Sequence, residues 1–390
     1  MITIIRNGTV FAPRPLGRKD ILILGDKVGA LAEPGTLQIK GLPVKVVEAE
    51  GLTVLPGFID GHVHILGGGG EGGPATRAPE IEVEDIIRSG VTTLIGCLGT
   101  DGVTRHPSSL LAKARALESE GITTYVFVGS YEVPVCTLTG SVRSDIVLLD
   151  KVIGAGEVAI SDHRSSQPTF EEIARLAAEC RVGGMLGGKA GILHLHLGAG
   201  GRKIGFLFRL ISETEIPAAQ VVPTHMNRNR GLLEEGLRWL RAGGWLDFTA
   251  GTLPEEESDN DVSVETAVRL CREQGFLGRI AVSSDSNGSM PVFDKKGELV
   301  GLTIARQDTL LQTFRSLIHR KILSLEEAAA LFASNPANCY KFSHKGSLAE
   351  GQDADLLLMD ADLNLKGVFA RGKQMMVEGR LLARGTFRRT

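Results

Sequence analysis

Pro56-Gly57-Phe58-Ile59-Asp60-Gly61-His62-Val63-His64 is the stretch on which the reading of this chain turns. An apolar run, Leu52 to Leu55, feeds a Pro-Gly step, a short apolar segment and then two histidines two residues apart. On an extended strand residues i and i+2 face the same way, so His62 and His64 present both imidazoles to one point. Neutral imidazole is the usual form in which histidine ligates a metal. A His-x-His pair alone is a weak signal. Directly after a buried strand, with further His and Asp at later strand ends, it becomes a strong one.

Working outward, the rhythm of the chain supplies those later strands. From Val54 onward, short apolar runs alternate with segments of helical period at intervals of about 30 residues, the spacing of βα units. The expected strands are Val54–Ile59, Thr93–Cys97, Thr123–Val128, Val158–Ile160, Ile192–Leu197, Val221–Thr224, Leu246–Thr249 and Arg279–Ser283. Helices are expected between them, at 81–88, 110–120, 170–179, 232–242 and 264–274. Eight such units with continuously apolar strands argue for an α/β fold built as a closed (β/α)8 TIM-like barrel; an open doubly wound sheet is the alternative. Before residue 56 and after the helix Leu325–Phe332 the text is strand and turn. The expected organisation is a small β-sandwich domain made from residues 1–56 and 341–390, flanking a barrel domain of residues 57–340.

Composition narrows the function classes. At 390 residues, 43% hydrophobic and 23% charged, the chain has the make-up of an ordinary globular protein. A net charge of -3 offers no electrostatic footprint for nucleic acid or an anionic membrane. The five cysteines, at 97, 136, 180, 271 and 339, are scattered and show no Cys-x-x-Cys spacing, as expected of buried thiols in a reducing compartment. The first residues alternate like a strand and lack the apolar core of a signal peptide, and no apolar stretch approaches the ~18 residues of a membrane helix. The expected location is cytoplasmic.

In a parallel barrel, chemistry sits at the C-terminal ends of the strands. Metal-compatible residues fall there repeatedly: His62 and His64 after the first strand, Glu157 opening the fourth, His196 ending the fifth, His225 ending the sixth and Asp285 ending the eighth. Six N/O ligands from five strands suit a pair of borderline divalent ions such as Zn2+, with one carboxylate bridging. Cobalt and manganese accept the same set. His194 shares a face with His196 and reads as a core or supporting histidine. His106, His163, His319 and His344 lack a strand-end context and read as structural or surface residues.

Pro-Gly-x-Ile-Asp-x-His-x-His, the later single histidines, Asp285 and the tail Gly351-Gln352-Asp353-Ala354-Asp355-Leu356 resemble the amidohydrolase superfamily. More narrowly, the chain resembles the isoaspartyl (β-aspartyl) dipeptidases, a metallopeptidase family, over nearly its whole length. The strings that carry this are Gly67-Gly68-Gly69-Gly70-Glu71, Leu98-Gly99-Thr100-Asp101, Thr139-Gly140-Ser141, Ile160-Ser161-Asp162-His163-Arg164, Thr224-His225-Met226-Asn227-Arg228-Asn229 and Ser283-Ser284-Asp285-Ser286-Asn287-Gly288-Ser289. One departure matters. The family carries on its fourth strand a lysine whose carbamate bridges two zinc ions, and that position here is Glu157; Lys151 lies six residues away. A glutamate already offers the bridging carboxylate, so two zinc ions per chain bridged by Glu157 are expected.

The resemblance implies a hydroxide that attacks the side-chain amide of a β-aspartyl dipeptide, with Asp285 as general base and then general acid. Tyr131 matches the family's phenol that supports the developing oxyanion. Such a dipeptide bears two carboxylates and one ammonium. Arg164 and Arg228 suit the carboxylates through bidentate guanidinium forks, and Glu71 suits the ammonium. Thr100 and Ser289 match hydroxyls that hydrogen-bond the substrate. The resemblance also implies a large homo-oligomer, of octamer size. The rival readings are another amidohydrolase, of dihydroorotase, hydantoinase or D-aminoacylase type, and a non-catalytic scaffold barrel.

Overall fold

Six parallel strands, Phe58–Val63, Val91–Gly96, Thr123–Val128, Val152–Ile160, Ile192–Leu197 and Val221–Thr224, lie side by side in sequence order in the computed structural model. The structure describes residues 1–258, 260–293 and 299–387. Two further strands, Leu246–Thr249 and Ile280–Ser283, form a parallel pair. Met226 N donates to Asp247 O at 3.2 Å, bringing this pair against one edge of the six. At the other edge His64 N donates to Ser286 O at 2.9 Å, beside a parallel bridge between Val63 and Ser286. The parallel sheet is therefore strongly curled, and both of its edges meet the same pair.

Helices follow the strands and cover the outer face. Arg230–Arg241 shows why they form where they do. The Asn229 side chain caps its first turn by accepting from Leu232 N, and Leu232, Leu233, Gly236, Leu237, Trp239 and Leu240 make its buried stripe. Each large side chain so buried contributes about 1.5–3 kcal/mol. Phe170–Gly187 starts with a reciprocal capping box between Thr169 and Glu172 and ends on Gly188 in the left-handed conformation. The helices Val142–Leu148, Gly205–Glu213 and Thr309–His319 add to those expected.

Two strand expectations need correction. Val54–Ile59 is not one strand. Thr53–Pro56 runs antiparallel to Leu356–Met359, and only from Phe58 does the chain enter the curled sheet. A Cβ on Gly57 would meet Thr92 Oγ1 at 2.2 Å, so the crossing between the two sheets requires glycine. The fourth strand begins at Val152, which places Glu157 inside it and wholly buried, not at an exposed start. Residues 156 and 157 together oppose His194 alone, a bulge that re-aims the strand at this point.

Strands from both ends of the chain build one nine-stranded sheet, in which Thr53–Pro56 lies between Ile2–Phe11 and Leu356–Met359. Its side chains Ile5, Val10, Ile21, Ile23, Val54, Leu356, Leu358 and Phe369 share a core of their own. Lys345 ties this sheet to the curled one: its Nζ lies 2.7 Å from Thr123 Oγ1, 2.6 Å from Asp355 and 2.8 Å from Asp353. Among the described residues no helix is long and apolar enough to cross a membrane. All five cysteines are unpaired; four are buried as expected, whereas Cys136 is partly exposed.

Candidate metal centre and substrate cleft

Glu157 is the hub around which the strand-end histidines gather. Its Oε2 lies 3.1 Å from His62 Nε2, 3.4 Å from His196 Nδ1 and 3.6 Å from His225 Nε2, and its Oε1 lies 3.4 Å from His64 Nε2. Asp285 Oδ1 approaches His64 Nε2 at 3.0 Å and His62 Nε2 at 3.6 Å. The six residues expected as ligands thus converge, all of them buried. The backbone bends to allow it: His225 and Asp285 adopt left-handed φ angles of 60° and 52°, unusual for residues with a side chain.

These donors suit a cation better than one another. Both Glu157 oxygens, His62 Nε2 and Asp285 Oδ1 are buried and, among the described residues, lack a hydrogen-bond partner. Orphaned buried groups of this kind cost free energy unless an ion satisfies them. Two ligands each about 2.1 Å from one ion stand roughly 3.4 Å apart at the tetrahedral angle, which is the spacing seen here. Two ligand groups can be formed, one of His62, His64, Cys97 and Glu157 and one of Glu157, His196 and His225, and Glu157 belongs to both. The residues therefore fit a pair of ions sharing one carboxylate.

Charge supports the same fit. Burial would raise the Glu157 carboxyl, but the imidazoles of His62 and His196 hold it well below the usual carboxylate range. Asp285 is likewise held below its ordinary value against burial, by His62 and His64. Burial pushes His225 down to about 3, leaving a neutral imidazole. Burial also works against charge on His62, yet Glu157 draws it well above the ordinary histidine value. A dication held here would take the place of such a proton.

Each histidine expected as a ligand has a neighbour at its other nitrogen, the arrangement by which a ligating imidazole is oriented. His62 Nδ1 lies 3.3 Å from Thr224 Oγ1, which donates to Asp247 Oδ2 at 2.6 Å. His64 Nδ1 lies 3.9 Å from Cys97 Sγ, His225 Nδ1 lies 2.6 Å from Thr249 Oγ1, and His196 Nε2 lies 2.9 Å from Asp162 Oδ2. Asp247 is buried against solvent and its carboxyl is pushed up to about 7. His194 is wholly buried and stacks on Phe127, with both ring nitrogens unpartnered among the described residues. His163, by contrast, is exposed.

Four of the residues expected to bind substrate form a second group. Glu71 accepts from Thr100 Oγ1 at 2.8 Å and from Ser289 Oγ at 3.0 Å, with Arg164 Nη1 at 3.4 Å. Arg164 also lies over the Tyr131 ring, 5.4 Å from its centroid, and the Tyr131 hydroxyl reaches His196 Nδ1 at 2.8 Å. Arg164 does not present a free bidentate edge. Its Nε and Nη2 edge is taken by Asp162, at 3.0 and 2.8 Å, which leaves Nη1 for an incoming carboxylate. Arg228 follows the sixth strand and donates Nε to Leu197 O at 2.8 Å. Its charge acts on Tyr131 and His225.

Three residues of this site escape sequence reasoning. Cys97 ends the second strand and could be suspected from that place alone. Asp162 precedes Arg164 at the end of the fourth strand. Arg105 carries no pattern signal: its buried guanidinium reaches Leu66 O, Gly69 O and Ala78 O, each at 3.2–3.3 Å, and so pins the glycine loop that presents Glu71. In that loop a Cβ on Gly67 would fall 2.1 Å from Ala78 O, and its φ of 74° is left-handed.

Residues 53–380 match the model of the amidohydrolase family. The chain belongs to the amidohydrolase family. Among solved structures it is similar to the β-aspartyl dipeptidase of Fervidobacterium islandicum AW-1 in complex with β-Asp-Leu dipeptide, at 46% identity, 98% coverage of this chain, 97% of that chain and a TM-score of 0.92. A further structure of a β-aspartyl dipeptidase from the same organism matches at 45% identity, 98% of each chain and a TM-score of 0.90. Among curated relatives, the adenine deaminase of Halalkalibacterium halodurans is 24% identical over 93% of this chain, which spans 55% of that protein's length.

Proposed function

We propose that the chain is a metal-dependent hydrolase of β-aspartyl dipeptides. The observation that carries this is the pairing of two groups in one cleft: the Glu157-centred ligand nest and, at its rim, Glu71 with Thr100, Ser289 and Arg164. The second group offers a carboxylate for an ammonium and a guanidinium for a carboxylate, the complement of a zwitterionic dipeptide. Similarity to a structure holding β-Asp-Leu supports the same substrate.

His62, His64, Glu157, His196, His225 and Asp285 would hold two zinc ions, with Glu157 shared. The chemistry bound dications supply at such a site is a lowered pKa for water and Lewis-acid polarisation of a carbonyl. Asp285, held ionised, takes the proton from the attacking water as the carbon–oxygen bond forms. It returns that proton to the leaving amine as the amide C–N bond breaks. Tyr131, whose phenol burial pushes well above its ordinary pKa, stays a neutral donor for the carbonyl oxygen as negative charge builds on it. Glu71 and Arg164 bind the ends of the dipeptide, with Thr100 and Ser289 orienting Glu71, and Arg228 offers a further cation for the second carboxylate.

The same reading closes the curled sheet as a (β/α)8 barrel over residues 57–340, with residues 1–56 and 341–390 as a separate β-sandwich domain. The hydrogen bonds at both sheet edges support the closure, and the separate core of the terminal strands supports the second domain. A homo-oligomer is also part of it, supported by the exposed Leu148, Met185 and Leu186 on two helices that pack together. The unpaired cysteines support a cytoplasmic location.

The test is a substrate panel on purified zinc-loaded protein. Hydrolysis of β-Asp-Leu, with dihydroorotate, hydantoin and N-acyl-D-amino acids left intact, is the expected result. Turnover of a cyclic amide without turnover of β-Asp-Leu would overturn the substrate assignment, and inertness towards all would favour a non-catalytic role.

A further inference from the structure

Asp162 sits between the two halves of the cleft, and every acceptor position on its carboxylate is in use. Oδ1 accepts from Arg164 N at 2.8 Å and Arg164 Nε at 3.0 Å. Oδ2 accepts from Arg164 Nη2 at 2.8 Å and faces His196 Nε2 at 2.9 Å. A carboxylate has about four lone-pair sites, so these donors saturate it. Its side chain is 5% exposed.

The surrounding backbone is built to bring it there. Ser161 adopts a left-handed φ of 54°, which turns the chain directly before Asp162. Gly198, two residues after His196, has no room for a side chain: a Cβ would fall 2.6 Å from Asp162 Cβ and 2.4 Å from Ser161 O.

The chemistry of the contact determines the histidine's tautomer. Nε2 of His196 also lies 3.2 Å from Arg164 Nη2, but that guanidinium nitrogen already donates to Asp162 Oδ2; an ionised carboxylate only accepts, and at 2.9 Å its contact is the shorter, so it draws the proton to Nε2. In a neutral imidazole the other nitrogen then bears the lone pair, and that nitrogen, Nδ1, points at Glu157. The same carboxylate holds the guanidinium of Arg164 in a bidentate grip and leaves Nη1 turned towards Glu71.

We propose that Asp162 is a positioning residue that couples substrate recognition to metal binding, by fixing the tautomer and orientation of His196 and the direction of Arg164 together. This rests on the reading of His196 as a metal ligand and Arg164 as a substrate-binding group. A carboxylate that merely shaped the loop would bear on thermal stability without moving metal affinity.

The experiment compares the full-length wild type with Asp162→Asn, Asp162→Ala and Arg164→Ala. Zinc affinity is measured by chelator competition, and KM and kcat for β-Asp-Leu are measured at saturating zinc. Loss of such an outer partner typically weakens a metal site by roughly 10–100-fold, and that is the range expected for Asp162→Ala, with KM raised by about tenfold. Asp162→Asn is isosteric and keeps the loop packed; it should shift both quantities in the same direction, less far. Arg164→Ala removes a guanidinium that also lies 3.2 Å from His196 Nε2, so it should raise KM and weaken zinc binding less than Asp162→Ala does, because the carboxylate on His196 stays in place. Zinc affinity unchanged in both Asp162 variants would overturn the proposal, whatever happened to their melting temperature. If the wild type does not hydrolyse β-Asp-Leu, the functional reading falls, while the zinc comparison still decides whether Asp162 positions His196.

Discussion

The hydroxyl of Tyr131 lies 2.8 Å from Nδ1 of His196, the nitrogen that also faces Glu157. The phenol is buried and its ring supports Arg164, so removing the hydroxyl alone leaves the packing in place. Tyr131→Phe should therefore lower kcat for β-Asp-Leu by about 10²–10³-fold, the usual effect of losing one oxyanion donor, with KM changed little. Steady-state kinetics separate the two. A large rise in KM with kcat retained would assign Tyr131 to binding and not to the transition state.

Gly288 leaves no space for a methyl group beside the general base. A Cβ there would fall 2.7 Å from Asp285 Oδ1 and 2.9 Å from His64 Cδ2. Gly288→Ala must displace one or both, and catalytic groups shifted by about 1 Å lose on the order of 100-fold in rate. The expected outcome is that loss in kcat with a melting temperature close to wild type. Unchanged kinetics would mean that Asp285 can move without penalty.

Lys345 joins the terminal sheet to the curled sheet, and its titration gives a pH signature. Burial would lower it, but Asp355 and Asp353 raise it above the ordinary lysine value of 10.5. Asp353 is held below its ordinary 3.8, against burial, by Lys345 and Lys27. Folding thus favours the charged form of both. Their contribution is full between these two values; it fades as pH rises through the folded Lys345 value and as pH falls through the folded Asp353 value. Lys345→Met leaves Asp355 buried without its cation and should cost about 3 kcal/mol near neutrality, with the alkaline fall in melting temperature flattened. Thermal melts from pH 3 to pH 11 check both limbs.

Much of this architecture is legible before any coordinates, because βα units write apolar runs at a regular spacing and barrel chemistry collects where those runs end. The strands at 123–128, 192–197, 221–224 and 246–249 are found at the expected limits. Where expectation fails, a local pattern is overruled by tertiary context. Val54 to Ile59 reads as one apolar run, yet the Pro-Gly step within it hands the chain from one sheet to another, and hydrophobicity does not record which sheet a strand joins. Glu157 reads as a strand-start residue because Gly154 and Gly156 interrupt the apolar text, although Gly154 is paired within the strand and Gly156 is where the bulge lies. The ligands were visible as residue types at strand ends. Asp162 and Arg105 were not, since their roles depend on contacts to residues as far as 39 positions away in sequence. The helices Val142–Leu148 and Gly205–Glu213 are short and follow loops rich in small residues, which masks their period.

The central claim is that Glu157 serves as the shared carboxylate of a two-metal dipeptidase, in place of a modified lysine. The most direct measurement is metal content per chain together with β-Asp-Leu hydrolysis, for the wild type and for Glu157→Ala. Close to two zinc equivalents and activity are expected in the wild type, with both lost in the variant. A Glu157→Ala protein that keeps its metal and its activity would contradict it.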